Sequence, residues 1–93
     1  MPVLISLTQN IMNIILYTKT GCPWCRGVLD LLDEKGIEYE EREVRGSAAY
    51  FEELVKKSGQ SKTPTLDIDG FILADSDADQ VSAYLKEKGV AGF

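Results

Sequence analysis

Thr20-Gly21-Cys22-Pro23-Trp24-Cys25 holds both cysteines of the chain, and its surroundings decide the fold. Ahead of it runs Ile14-Ile15-Leu16-Tyr17-Thr18, an apolar, β-branched stretch with the character of a buried strand. On it begins a helical period that puts Cys25, Val28, Leu29 and Leu32 on one face. The cysteine pair therefore stands at a strand-to-helix junction. Gly21 permits the tight turn and Cys22 takes the cap. Pro23 falls at the first helical position, where its missing amide costs nothing and its fixed φ suits the helix.

A cap is a chemical environment as well as a boundary. Exposed amides and the helix dipole favour an anion at a helix N-terminus, and Lys19 lies three residues upstream, so the spacing predicts a Cys22 with a depressed pKa. Thiolate fraction and intrinsic nucleophilicity pull in opposite directions as a thiol pKa falls, so attack gains little. Departure gains more, because a low-pKa sulfur is expelled easily from a mixed disulfide. Cys25, one turn on, faces the same side within reach of a disulfide. A structural zinc site would need two further ligands, and the chain has no histidine and no third cysteine, so no metal is expected.

The 93 residues suit one domain with a single modest core, and 44% hydrophobic with 27% charged residues is a soluble globular composition. A net charge of −5 argues against nucleic acid or an anionic membrane as partner. Two cysteines spaced C-x-x-C without a secretory signal read as redox chemistry in a reducing compartment, hence a cytoplasmic location. Residues 1–12 read as an N-terminal extension and 13–93 as the domain. The leader carries no Lys or Arg, and its apolar part, Val3-Leu4-Ile5, is too short to span a bilayer.

Downstream, Lys35-Gly36 closes the first helix, and Ile37 to Val44 reads as a heavily charged edge strand. Ser47 caps a second helix that runs to about Ser58, with Phe51, Leu54 and Val55 as its buried stripe and Gly59 as its stop. Thr65 to Ile68 is a third strand, Asp69-Gly70 a hairpin turn, and Phe71 to Leu73 a fourth strand. A last helix starts near Asp77 and runs through Val81, Tyr84 and Leu85 to Lys88-Gly89. The order βαβαββα implies an α/β fold, a four-stranded mixed sheet with helices on both faces.

At this point the sequence resembles the glutaredoxins, small proteins of thioredoxin-like fold, from Asn13 to about Gly89. The resemblance rests on Lys19-Thr20-Gly21-Cys22-Pro23-Trp24-Cys25, close to the family's C-P-Y-C, on Leu31 to Ile37, on Ser58-Gly59 ahead of Thr63-Pro64, and on Ile68-Asp69-Gly70. It implies a glutathione-dependent dithiol-disulfide oxidoreductase acting on protein disulfides or glutathione mixed disulfides. Cys22 would attack and Cys25 resolve. Pro64 would be a cis-proline facing the cysteines, and the backbone of Thr63 would pair with the cysteinyl part of glutathione. Lys19 and Gln60 fall where the family holds the glycine carboxylate, and Ser76 and Asp77 where the γ-glutamyl end binds. Trp24 would be a wall of the groove.

The implied partners are glutathione, as reducing co-substrate, and disulfide-bearing or glutathionylated proteins, met by a monomer. One departure stands out: Ala74-Asp75 replaces the family's Gly-Gly and adds a negative charge beside a carboxylate site. Two other functions share this motif. One is an iron-sulfur carrier holding its cluster between two Cys22 thiolates and two glutathiones. The other is a redoxin recharged by a thioredoxin-reductase-type enzyme.

Overall fold

A computed structural model describes residues 12–93 of the chain. The elements are β1 (Ile14–Thr18), α1 (Pro23–Glu34), β2 (Glu40–Glu43), α2 (Ala48–Ser58), β3 (Thr65–Ile68), β4 (Phe71–Leu73) and α3 (Ala78–Glu87), the expected βαβαββα order. The strands line up as β2-β1-β3-β4. β1 pairs parallel with β2 and antiparallel with β3, and β3 pairs antiparallel with β4 through the Asp69-Gly70 turn. The charged strand β2 is an edge, as its composition predicts, because an edge can leave carboxylates in water.

Alternation along β1 divides the core between the two faces of the sheet. Ile14 and Leu16 point to the face covered by α1 and α3, where they bury with Val28, Leu29, Leu32, Leu66, Ile68, Val81 and Leu85. Tyr17 points to the other face and buries with Val44 and with Leu54 of α2. Among the described residues no helix is long and apolar enough to cross a membrane. Of the proposed extension, residues 1–11 lie outside the described part; Met12 is half-buried against the larger core.

Two sequence expectations are corrected. The buried stripe of α2 is not Phe51, Leu54 and Val55, because Phe51 is 42% and Val55 39% exposed. The helix is rotated so that Tyr50, Glu53, Leu54 and Lys57 face the sheet. Tyr50 packs against the Tyr17, Val44 and Leu54 cluster, the Tyr17 hydroxyl donates to Glu53 Oε1 at 2.8 Å, Arg42 pairs with Glu53, and Lys57 pairs with Asp67 at 2.8 Å. Half-buried ion pairs fill the space that apolar side chains were expected to fill.

The second strand is also shorter than Ile37 to Val44. Ile37 instead completes the end of α1, its N–H donating to Leu32 O at 2.9 Å next to Gly36 at φ +67°. The other helix boundaries agree with the sequence. Ser47 and Asp77 are N-caps, accepting from Tyr50 N–H and Gln80 N–H, and Gly59 is a left-handed stop.

Candidate active site

The carboxyl end of β1 turns through Gly21, at φ +87°, straight into α1. Cys22 is the N-cap and Pro23 the first helical residue, as the sequence predicts. The Cys25 N–H donates to the Cys22 sulfur at 3.2 Å, so the cap is the sulfur itself. Both cysteines are free thiols. Cys22 is half-buried and Cys25 is buried beneath it, on the face that carries Val28, Leu29 and Leu32 into the core.

These placements drive the two thiols apart. Burial raises the Cys22 pKa, but hydrogen bonds from the Cys25 thiol and N–H, the Thr63 hydroxyl and the Trp24 N–H outweigh it and hold Cys22 below its ordinary value near 9. The Cys25 thiol is pushed up to about 11, first by burial and then by its hydrogen bond to Cys22. One turn of helix thus holds a thiol poised to ionise above a thiol that keeps its proton.

Across from the pair lies the loop that carries a cis Thr63-Pro64 bond, with Pro64 buried. The Thr63 hydroxyl lies 3.8 Å from the Cys22 sulfur and the Thr63 carbonyl 3.9 Å from it. Ser76 clamps this loop from α3's side, with its N–H and hydroxyl both donating to Pro64 O at 2.9 and 3.2 Å. Ser76 and Asp77 are thus engaged within the protein, Ser76 holding the proline loop and Asp77 capping α3.

A cleft of about 640 Å³ brings together Lys19, Cys22, Trp24, Thr63, Ser76 and Asp77 of the residues expected from sequence. Trp24 stands 64% exposed at its rim. Gln60 is exposed and is not among the lining residues; Ser61 and Lys62 form the wall at that place. Asp75 lines the same cleft, with φ +49°, a left-handed backbone on a non-glycine residue.

Ser61 and Lys62 were not singled out from the sequence, although a lysine next to Thr63-Pro64 was signal enough to weigh. A second cleft of about 470 Å³ opens on the β2 side of the pair, where Thr18, Cys25, Arg26, Leu29, Glu41 and Glu43 join the cysteine loop. Glu43 fastens that loop to the sheet edge, accepting from the Thr20 N–H at 2.8 Å and the Thr20 hydroxyl at 2.9 Å. Among the described residues no three His, Cys, Asp or Glu side chains come together to hold a metal ion.

Comparisons with known proteins agree with this geometry. Glutaredoxin 3 of Escherichia coli K12 is 40% identical over 57 residues, which is 61% of this chain and 69% of that protein. Glutaredoxin 1 of Rickettsia felis is 43% identical over 68 residues, 71% of this chain and 67% of that protein. The solution structure of a glutaredoxin from Brucella melitensis superposes with a TM-score of 0.63 at 28% identity, covering 86% of this chain and 84% of that one. A thioredoxin-like sheet therefore carries the site. The sequence model of the glutaredoxins matches residues 14–73, from the first residue of β1 through the cysteines and the cis-proline to the last residue of β4. The chain belongs to the glutaredoxin family.

Proposed function

We propose that the protein is a glutathione-dependent dithiol-disulfide oxidoreductase, reducing protein disulfides or glutathione mixed disulfides through Cys22 and Cys25. The observation that carries this reading is the split between the thiols: Cys22 lowered at the mouth of a cleft, Cys25 buried and raised to about 11 one turn below. The Cys22 thiolate attacks one sulfur of the substrate disulfide, forming a mixed disulfide and expelling the other sulfur as a thiolate, which takes a proton from water. Cys25 then loses its proton, attacks the Cys22 sulfur and releases the second thiol, leaving a Cys22–Cys25 disulfide. Two glutathiones return the electrons and leave as glutathione disulfide. With a glutathione mixed disulfide, a second glutathione can discharge Cys22 without Cys25.

In this reading the glutathione lies in the 640 Å³ cleft. Its cysteinyl backbone pairs with Thr63 and its glycine carboxylate meets Lys19, with Lys62 on the same wall. Trp24 covers its apolar side, and Pro64, held by Ser76, sets the height of the Thr63 backbone above Cys22. The γ-glutamyl end goes toward Ser76 and Asp77, where free amides of α3 favour a carboxylate. The protein acts as a cytoplasmic monomer.

Asp75 on the cleft wall supports a second reading, a redoxin recharged by a reductase enzyme, because its charge opposes a bound carboxylate. One assay separates them. Turnover of a glutathione mixed disulfide is followed with glutathione and glutathione reductase, then with thioredoxin reductase alone. Fast turnover in the first system is expected; turnover only in the second overturns glutathione as the donor.

A further inference from the structure

The loop on which Asp75 sits is tied to the proline loop by one buried hydroxyl. Thr65 Oγ1, with Thr65 fully buried, donates to Lys62 O at 2.8 Å and accepts from the Asp75 N–H at 3.2 Å. The adjacent Ser76 adds its two hydrogen bonds to Pro64 O. These bonds hold Asp75 in its left-handed backbone, which aspartate adopts more readily than most side chains do, and keep the residue on the cleft wall.

Asp77, its neighbour on that wall, has a carboxylate oxygen engaged by the Gln80 N–H at 2.8 Å. Among the described residues the Asp75 carboxylate accepts no hydrogen bond and joins no ion pair. The cleft thus has Lys19 and Lys62 available for an anionic group and an uncommitted carboxylate at Asp75.

We propose that Asp75 is a specificity-determining residue, selecting partner disulfides whose small thiol carries an ammonium group over those carrying a carboxylate. This rests on the thiol-disulfide exchange proposed above. The chemistry selected is a compact ammonium a few bonds from the sulfur, because Cys22 and Asp75 line the same cleft. A carboxylate in the same place meets a like charge in a partly desolvated groove, and the penalty shrinks as salt screens it.

The test uses three symmetric disulfides of matched length: bis(2-aminoethyl), bis(2-hydroxyethyl) and bis(2-carboxyethyl) disulfide. The rate at which each oxidises the fully reduced protein is followed by Trp24 fluorescence in stopped flow. Because the three differ in intrinsic reactivity, the quantity read is the cationic-to-anionic rate ratio of a variant divided by that of the parent. Asp75→Asn is expected to lower this ratio about tenfold at low ionic strength, the effect of removing one charge from near two oppositely charged ligands in a partly desolvated groove.

At about 0.5 M salt the change is expected to fall below roughly twofold. Glu87→Gln, the same charge change at the far end of α3, about 15 Å along the helix, is expected to leave the ratio within twofold. An unchanged ratio in Asp75→Asn, or an equal change in Glu87→Gln, overturns the proposal. If none of the disulfides oxidises the parent, it is the exchange reaction itself that fails.

Discussion

Cys22 and Cys25 lie on one turn of one helix and in one four-residue motif, yet their surroundings are opposite. The cap position leaves Cys22 half in water, facing backbone N–H groups and the Thr63 hydroxyl, all of which favour a sulfur anion. The position three residues on turns Cys25 inward, where 2% exposure leaves almost no water to solvate a charge. The contrast teaches that the motif supplies two thiols, and that the difference between a thiol poised to ionise and one that keeps its proton is made by which of them the helix aims at the core.

The sharpest break of that contrast removes one sulfur at a time. Cys22→Ser is expected to abolish all disulfide exchange, whereas Cys25→Ser keeps reduction of glutathione mixed disulfides, which needs only the attacking sulfur. Coupled turnover of a glutathione mixed disulfide and of a protein disulfide measures both. Retained exchange in Cys22→Ser would reverse the assignment.

Alkylation against pH tests the split directly. In the reduced protein Cys22 is expected to react with a midpoint below 9, and Cys25 only near about 11. A two-unit rise costs Cys25 about a hundredfold in thiolate fraction at pH 7, before its burial slows the reagent further. Coincident profiles for the two cysteines, read by mass spectrometry, would erase the contrast.

The same shifts act on stability with opposite sign. Cys25 keeps its proton in the folded state to about pH 11 but loses it near 9 when unfolded, so between those values the unfolded state binds fewer protons and stability falls as pH rises. The loss approaches about 2 to 3 kcal/mol at the top of that window. For Cys22 the folded state releases its proton first, so stability rises with pH up to about 9. Denaturant unfolding of the reduced Cys22→Ser and Cys25→Ser proteins should isolate the falling and the rising limb respectively. Two profiles of the same slope would contradict the assignment.

The smallest effect expected is at Thr63. Thr63→Val removes the hydroxyl 3.8 Å from Cys22 and keeps the shape, so the Cys22 alkylation midpoint should move up by a fraction of a unit while the Cys25 midpoint hardly moves. A sulfur contact of this length is weak, and a shift as large as that produced by losing the cap would mean that Thr63, not the helix, poises the thiol.

Much of this architecture was legible because it is written in local physics. A glycine for the turn, a cap, a proline at the first helical position and a 3.6-residue apolar stripe specify the β1–α1 junction without any distant partner. The caps at Ser47 and Asp77 and the stop at Gly59 were equally local. Where the reading failed, a distant partner decided. The rotation of α2 depends on Tyr17, Arg42 and Asp67 offering partners to Glu53 and Lys57, which no periodicity within 48–58 reveals.

The sequence by itself determined which sulfur stands at a helix N-terminus, since a glycine turn, a cap and a proline at the first helical position are local features that hold whatever packs around them. It did not determine the walls of the cleft. Which residues of the loop before the cis-proline stand on that wall, Ser61 and Lys62, was decided only when the loop folded against the cysteines. The charge at Asp75 was visible in the sequence. What only the tertiary structure decided is how it is held on that wall: the buried Thr65 and Ser76 hydroxyls tie its loop to the proline loop.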